Sequence, residues 1–388
     1  MAIGFSERLK ALPPYLFKEL DRVRDEVRAK GVDVIDLGVG DPDCPTPGHI
    51  VEALARAARD QANHRYPVYS GMNSLREVIA GWYKRRHGVS LEPETEVCSL
   101  IGSKEGIANF PFAFVNPGDV VICPEPGYPV YGSGTLFAGG VAHYAPILEK
   151  NDYLPDLSAI PADILKKARI IWVNYPNNPT GAKADPSFYK DLLGFAAKWD
   201  LLVASDAAYS EVTHLSKPHP SILELDGAKE RAVEFHSLSK TFNMTGWRLG
   251  WAVGNATAIK GLGLVKSNVD SGVFQAVQLA GIAALEGSLE PVAAMGALYL
   301  ERRKALEEGL DKAGISYLGT DYTFYVWAKV PQGLGSAGFC SRLLEQTGVV
   351  ATPGNGFGPS GEGYVRFALV QDVPRIREAA SRIAGLKL

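Results

Sequence analysis

Between residues 97 and 253 short apolar runs recur with helical stretches between them, and no other feature limits the fold of the chain so tightly. The runs cover 97–101, 119–123, 141–145, 169–173, 201–205, 232–236 and 249–253. Segments this short, bounded by turn residues, read as strands rather than buried helices. Their apolar residues are nearly continuous, as in strands covered on both faces. Helical stretches fill most of the gaps, near 104–114, 128–139, 158–167 and 187–198, and two more are predicted at 47–60 and 73–87. This alternation predicts an α/β fold whose large domain holds a mostly parallel seven-stranded sheet covered by helices.

The two ends of the chain read differently. Leu16, Phe17, Leu20, Val23 and Val27 have helical spacing and predict a helix over 14–30 that stops at Gly31. Val34 to Leu37 is strand-like and leads into the turn GVGDPD. Residues 257–313 read as long helices with a bend near Pro291. Beyond Gly314 come strands near 323–328 and 362–369, helices near 336–346 and 373–385, and the loop TPGNGFGPSGEG. That is the pattern of a smaller α+β domain. A chain of 388 residues also exceeds what one simple core serves. The expected division is 1–45 as an N-terminal helix or arm joined to the small domain, 46–288 as the large domain, and 289–388 as the rest of the small one.

Bulk properties narrow the function. The 40 basic and 43 acidic residues are well mixed, so neither nucleic acid nor a membrane surface is an expected partner. The four cysteines include no C-x-x-C pair, and the seven histidines form no H-x-x-x-H or H-E-x-x-H pattern. A disulfide framework and a metal site are therefore not expected, and a reducing compartment is. MAIGFSERLK lacks an apolar signal core and no apolar run reaches spanning length, so a cytoplasmic protein is expected.

Open parallel sheets bind ligands beyond the carboxyl ends of their strands, so the residues after each run matter most. The first run is followed by GSKEG (102–106), a helix start whose free N–H groups suit an anion or a simple N-cap. The fourth is followed by NYPNNPTG, in which Asn178 stands as a side-chain donor before a proline. After the fifth come Asp206 and Tyr209, and after the sixth Ser237-Leu238-Ser239-Lys240, with Arg248 further on. A phosphorylated aldehyde with a pyridine ring would need an amine to bond to, a carboxylate for its ring nitrogen, donors for its ring hydroxyl and a cradle for its phosphate. These strand ends supply each. A buried lysine with no such task would carry a heavy desolvation cost.

S-L-S-K-T-x-x-M-T-G-W-R-x-G, together with NNPTG and D-x-A-Y, resembles the signature of the class I and II pyridoxal-phosphate-dependent aminotransferases of fold type I. The resemblance covers essentially the whole chain and implies the fold of the aspartate aminotransferases. It implies that Lys240 bonds to pyridoxal 5'-phosphate and later shuttles the substrate's Cα proton. It implies that Asp206 pairs with the ring nitrogen, Tyr209 and Asn178 donate to the ring oxygen, and Tyr128 stacks on the ring. Ser103, Lys104, Ser237 and Arg248 would surround the phosphate, with Ser239 a further candidate. Tyr66 matches a tyrosine that reaches the phosphate of the neighbouring subunit, which implies a homodimer with shared sites. Arg366, in YVRFALV, would clamp the α-carboxylate of an amino acid or 2-oxo acid substrate, and Gly40 would let backbone approach the same group.

LIGSKEGIANFPFAFVNPGD, EPGYPVY and KSNVDSGVFQAVQ resemble the LL-diaminopimelate aminotransferase branch, as does PYLFKEL with Tyr15, expected near a partner's substrate. That branch implies transfer between LL-diaminopimelate and 2-oxoglutarate, giving tetrahydrodipicolinate and glutamate in lysine biosynthesis. Tyr69 departs from the plant branch, which tends to have a glutamate there. Asn268 and Ser271 are candidates for the far end of the substrate or ordinary turn residues. Aminotransferases for alanine, aspartate or aromatic amino acids, and carbon–sulfur lyases of the same fold, share the lysine and the carboxylate and stay open. A dehydrogenase does not, because GNGFG (354–358) lacks the third glycine and opens no helix after a first strand.

Overall fold

The computed structural model describes residues 3–12, 16–29 and 31–386. After β1 (Ile35–Asp36), the seven apolar runs become β2 (Val97–Leu100), β3 (Val120–Glu125), β4 (Val141–Pro146), β5 (Ala168–Asn174), β6 (Leu202–Asp206), β7 (Ala232–Ser237) and β8 (Gly250–Gly254). They form one sheet in the order β2-β8-β7-β6-β5-β3-β4. All neighbours are parallel except β8, which runs antiparallel to both β2 and β7.

The continuous apolar runs now have a physical reason. Successive side chains of a strand face opposite sides of the sheet. Ile171, Val173 and Trp251 enter one core with the helices Gly48–Arg59, Asn73–His87 and Gln275–Glu286. Ile170, Trp172 and Ala252 enter another under Ser103–Phe114 and Ala256–Val269. Each fully buried large side chain contributes about 1.5–3 kcal/mol, so both faces need apolar residues.

A further core gathers Ile35 and Leu37 with Leu306, Leu310, Phe339, Phe367 and Ile376. It covers an antiparallel three-stranded sheet of β9 (Tyr325–Lys329), β11 (Thr352–Pro353) and β12 (Tyr364–Ala368), while β1 pairs in parallel with β10 (Val349–Val350). The same core takes in Ala208, Tyr209 and Val212, which follow β6. The carboxyl end of the main sheet therefore lies where the two bodies meet.

Two local expectations differ. Pro291 sits in the first turn of Glu290–Lys312 and starts that helix instead of bending one, because the first turn has no N–H to lose. The stretch 158–167 is split into Leu157–Ala159 and Ala162–Leu165 by Pro161, for the same reason seen from the other side. No helix among the described residues is long and apolar enough to cross a membrane.

Candidate active site

The strands β5, β6 and β7 end side by side, and each delivers one functional stretch. Asn174 stands opposite Asp206 in the parallel register. Its amide donates to the Asp206 carbonyl at 2.8 Å, and its Oδ1 accepts the N–H of Asn178 at 2.8 Å. The loop that carries Asn178 is thus tied to the strand that carries Asp206.

The Asp206 side chain is buried at 5 % exposure. The Tyr131 hydroxyl donates to its Oδ2 at 2.7 Å and the Ala208 N–H to its Oδ1 at 3.2 Å. Burial still dominates and pushes its carboxyl up to about 6, against Tyr131, Ala208 and the charge of Lys240. Such a carboxylate is short of one positive partner. A protonated pyridine nitrogen is a group of that charge and shape.

Lys240 lies in the short helix Leu238–Thr241 directly after β7, capped by the Ser237 hydroxyl, which accepts from Ser239 N–H at 3.2 Å. Its Nζ donates to the Gly40 carbonyl at 3.3 Å and stands 5.6 Å from the Phe324 ring. Burial lowers its ammonium to about 8; Asp41 and Asp206 oppose this, and Arg366 and Arg248 reinforce it. The amine is therefore closer to its nucleophilic neutral form than a solvated lysine, and it senses the charges of Asp41, Arg366, Arg248 and Asp206.

The antiparallel β8 explains how Arg248 joins them. Its first residue, Gly250, pairs with Leu100 of β2 and Ser237 of β7. The residues just before β8 therefore lie at the edge where β2 and β7 end. The helix Ser103–Phe114 starts there and leaves its first N–H groups outside the helical ladder. A Cβ on Gly102 would fall 2.2 Å from a terminal nitrogen of Arg248, and one on Gly250 would fall 2.9 Å from the Ser103 nitrogen. Gly102 also has φ +72°, a region glycine enters freely. Free N–H groups, a guanidinium and the Ser239 hydroxyl, 3.4 Å from Arg248, make a cradle suited to a phosphate. Lys104 is exposed beside it.

Arg366, from the middle of β12, is 2 % exposed. Its guanidinium donates to Asn178 Oδ1 at 2.8 Å and to the Gly38 carbonyl at 2.7 Å. It lies between the rings of Tyr325 and Phe357, 4.3 and 4.7 Å from their centres. Its Nε has no partner, and no carboxylate forms an ion pair with it among the described residues. A buried cation without an acid is costly unless a ligand brings the anion. Gly40 is required close by, since a Cβ there would fall 2.3 Å from the Tyr325 hydroxyl.

The structure thus gathers Lys240, Asp206, Tyr209, Asn178, Arg366 and Gly40 at one end, and Ser103, Ser237, Ser239 and Arg248 at the cradle. Tyr128 is half-buried and packs edge-on against Tyr131. Tyr66 is 89 % exposed. Asn268 lies in the last turn of Ala256–Val269 with its amide on the Leu264 carbonyl, and Ser271 is exposed in the loop after it. Tyr15 lies outside the described residues. Sequence reasoning missed Tyr131 and Tyr325. The Tyr325 hydroxyl is 2.9 Å from that of Tyr209, joining the Asp206 side of the site to the ring beneath Arg366. Tyr131 lies one helical turn after Tyr128, a signal that could have been read; Tyr325 sits in an apolar strand and carries no such mark.

Known proteins resemble the chain along its whole length. Residues 32–383 match the family model "Aminotransferase class I and II". The LL-diaminopimelate aminotransferase of Aquifex aeolicus is 57 % identical over 99 % of both chains. The apo form of BacF from Bacillus subtilis superposes with a TM-score of 0.95 at 39 % identity, over 100 % of this chain and 99 % of its own. A Thermus thermophilus aspartate aminotransferase mutant does so with 0.93 at 31 % identity, over 100 % of both. The match to the family model over most of the chain, and the 57 % identity to a relative covered from end to end, show that the chain belongs to the class I and II aminotransferases.

Proposed function

We propose that the protein is an LL-diaminopimelate aminotransferase that works with pyridoxal 5'-phosphate. It moves the amino group between LL-diaminopimelate and 2-oxoglutarate, giving tetrahydrodipicolinate and glutamate. The observation that carries the reading is the buried, acid-free Arg366 beside an amine and a carboxylate that shift each other's titration. The substrate rests on the relatives, whose identity of 50–57 % extends over nearly the whole chain.

When bound, the cofactor supplies an aldehyde carbon and a pyridine ring that takes up electron density from the substrate. The residues of the chain do the rest. Lys240 would offer the amine that holds the cofactor, and the same amine is the base and acid placed to move the substrate's Cα proton. Asp206 would keep the ring nitrogen protonated. Tyr209 and Asn178 would donate to the ring oxygen, and Tyr128 would stack on the ring. Ser103, Lys104, Ser237 and Arg248 would hold the phosphate. Arg366 grips the α-carboxylate in two-pronged fashion and fixes the Cα–H direction, with Gly40 leaving room.

The dimer belongs to the same reading. Tyr66, Val68, Val269 and Phe274 are all exposed apolar side chains, and a second copy covering them would bring Tyr66 to its phosphate site. The division into 1–45, 46–288 and 289–388 is supported by the core that joins Ile35 and Leu37 to residues beyond 299. Four free cysteines fit a cytoplasmic protein.

The test is Lys240→Ala with a panel of amino donors. The variant should lose both turnover and the visible absorbance change that accompanies covalent capture of the cofactor. Wild-type enzyme should form glutamate from 2-oxoglutarate with LL-diaminopimelate as donor. If that donor is inert while alanine or aspartate reacts well, the substrate assignment is wrong; if Lys240→Ala keeps full activity, the whole reading is.

A further inference from the structure

Lys266 has no exposed side-chain surface, and nothing in the site described above uses it. It projects from Ala256–Val269, which packs on the helix that opens the anion cradle. Its Nζ donates to Glu105 Oε2 at 2.9 Å and to Asp270 Oδ2 at 3.0 Å. The same Glu105 oxygen accepts the Ile101 N–H at 3.1 Å, while Oε1 accepts from Asn109 at 2.6 Å. Asp270 Oδ1 accepts the Gly272 N–H at 2.7 Å. One ammonium therefore holds two stretches of backbone. One is Ile101 to Glu105, which spans the cradle residues Gly102, Ser103 and Lys104. The other is Asp270 to Gly272, on which the segment bearing Tyr66 rests: a Cβ on Gly272 would fall 2.9 Å from the Val68 carbonyl.

Stability alone is a weak account of this arrangement. Buried ion clusters are often no more stabilising than apolar side chains of the same volume. What a lysine between two carboxylates adds is direction: Glu105 cannot turn from Ile101 without leaving Nζ, and Gly102 lies between them. Burial works against the Lys266 charge, yet the two carboxylates outweigh it, so the ammonium persists at neutral pH.

We propose that Lys266 is a positioning residue for the phosphate cradle, fixing the direction of the Ser103 and Lys104 N–H groups through Glu105, and supporting the Tyr66 segment through Asp270. The inference rests on the reading that this cradle holds the cofactor phosphate.

The experiment measures pyridoxal phosphate binding to full-length, cofactor-stripped enzyme by equilibrium dialysis, with amide exchange of residues 101–105 in parallel. Lys266→Met should weaken binding about tenfold or more, the loss expected when charge-assisted bonds are removed. It should also speed exchange at 101–105, and Lys266→Arg should restore most of both. Arg248→Ala, measured alongside, separates the two readings. If Arg248→Ala weakens binding while Lys266→Met binds within about twofold of wild type, a spread of a few tenths of a kcal/mol, this inference is overturned. If Arg248→Ala itself has no effect, the cradle reading falls and this inference with it. Should Lys266→Met not fold, Glu105→Gln keeps an acceptor for the Ile101 N–H but removes the charge that meets Nζ, and it is held to the same binding and exchange criteria.

Discussion

Replacing Asp206 with Asn should make the cofactor-free protein more stable and the enzyme inactive. The magnitude comes from the burial of the carboxyl. Its pKa rises from 3.8 to about 6 in the folded chain. The folded state thus binds this proton more tightly than the unfolded one. The contribution is fully present below the unfolded value and is lost as pH rises through about 6. Two pH units at about 1.4 kcal/mol each put the cost of the bare carboxylate at roughly 3 kcal/mol at pH 7. Asparagine, like the protonated acid, keeps one acceptor oxygen, which can take the Ala208 N–H while its NH2 faces the Tyr131 hydroxyl oxygen, and it has no charge to desolvate. The variant should therefore exceed wild type by about 1.5 kcal/mol at pH 5 and about 3 kcal/mol at pH 7. Urea unfolding of both cofactor-stripped proteins, at one protein concentration across pH 5–8, measures the gap. Addition of pyridoxal phosphate should then stabilise wild type far more than the variant, because only aspartate meets a ring cation. A variant that is less stable than wild type at pH 7, or a gap that does not change with pH, would refute the reasoning.

Two further outcomes test the other charged groups. Capture of pyridoxal phosphate by the stripped enzyme needs the neutral Lys240 amine, so its rate should climb with pH around a midpoint near 8; stopped-flow absorbance that finds a midpoint near 10.5 would show a solvated lysine instead. Arg366→Lys keeps a charge but loses the fork, and should raise KM for amino and 2-oxo acids about 10–100-fold, the equivalent of one charge-assisted hydrogen bond, in steady-state assays; amines without an α-carboxylate should lose nothing, and an unchanged KM for the acids would remove the carboxylate role.

Much of the fold was legible because its signal is local. Five-residue apolar runs with turn residues behind them can hardly be anything but buried strands, and all seven became strands of the main sheet. The groups at their ends could be read for the same reason, since residues just past the end of a parallel strand lie at the ligand-binding edge.

The sequence by itself determined which short segments are buried and which polar groups stand at their ends, because hydrophobic period and turn chemistry act over a few residues. Only the tertiary structure decided who meets whom. Asn178 and Arg366 are 188 positions apart and bond at 2.8 Å. Tyr131 reaches Asp206 across 75 positions, and Lys266 reaches Glu105 across 161. Such pairs depend on the order of strands in the sheet and on the reversal of β8, which are set by the packing of whole layers and leave no mark in any window of neighbouring residues.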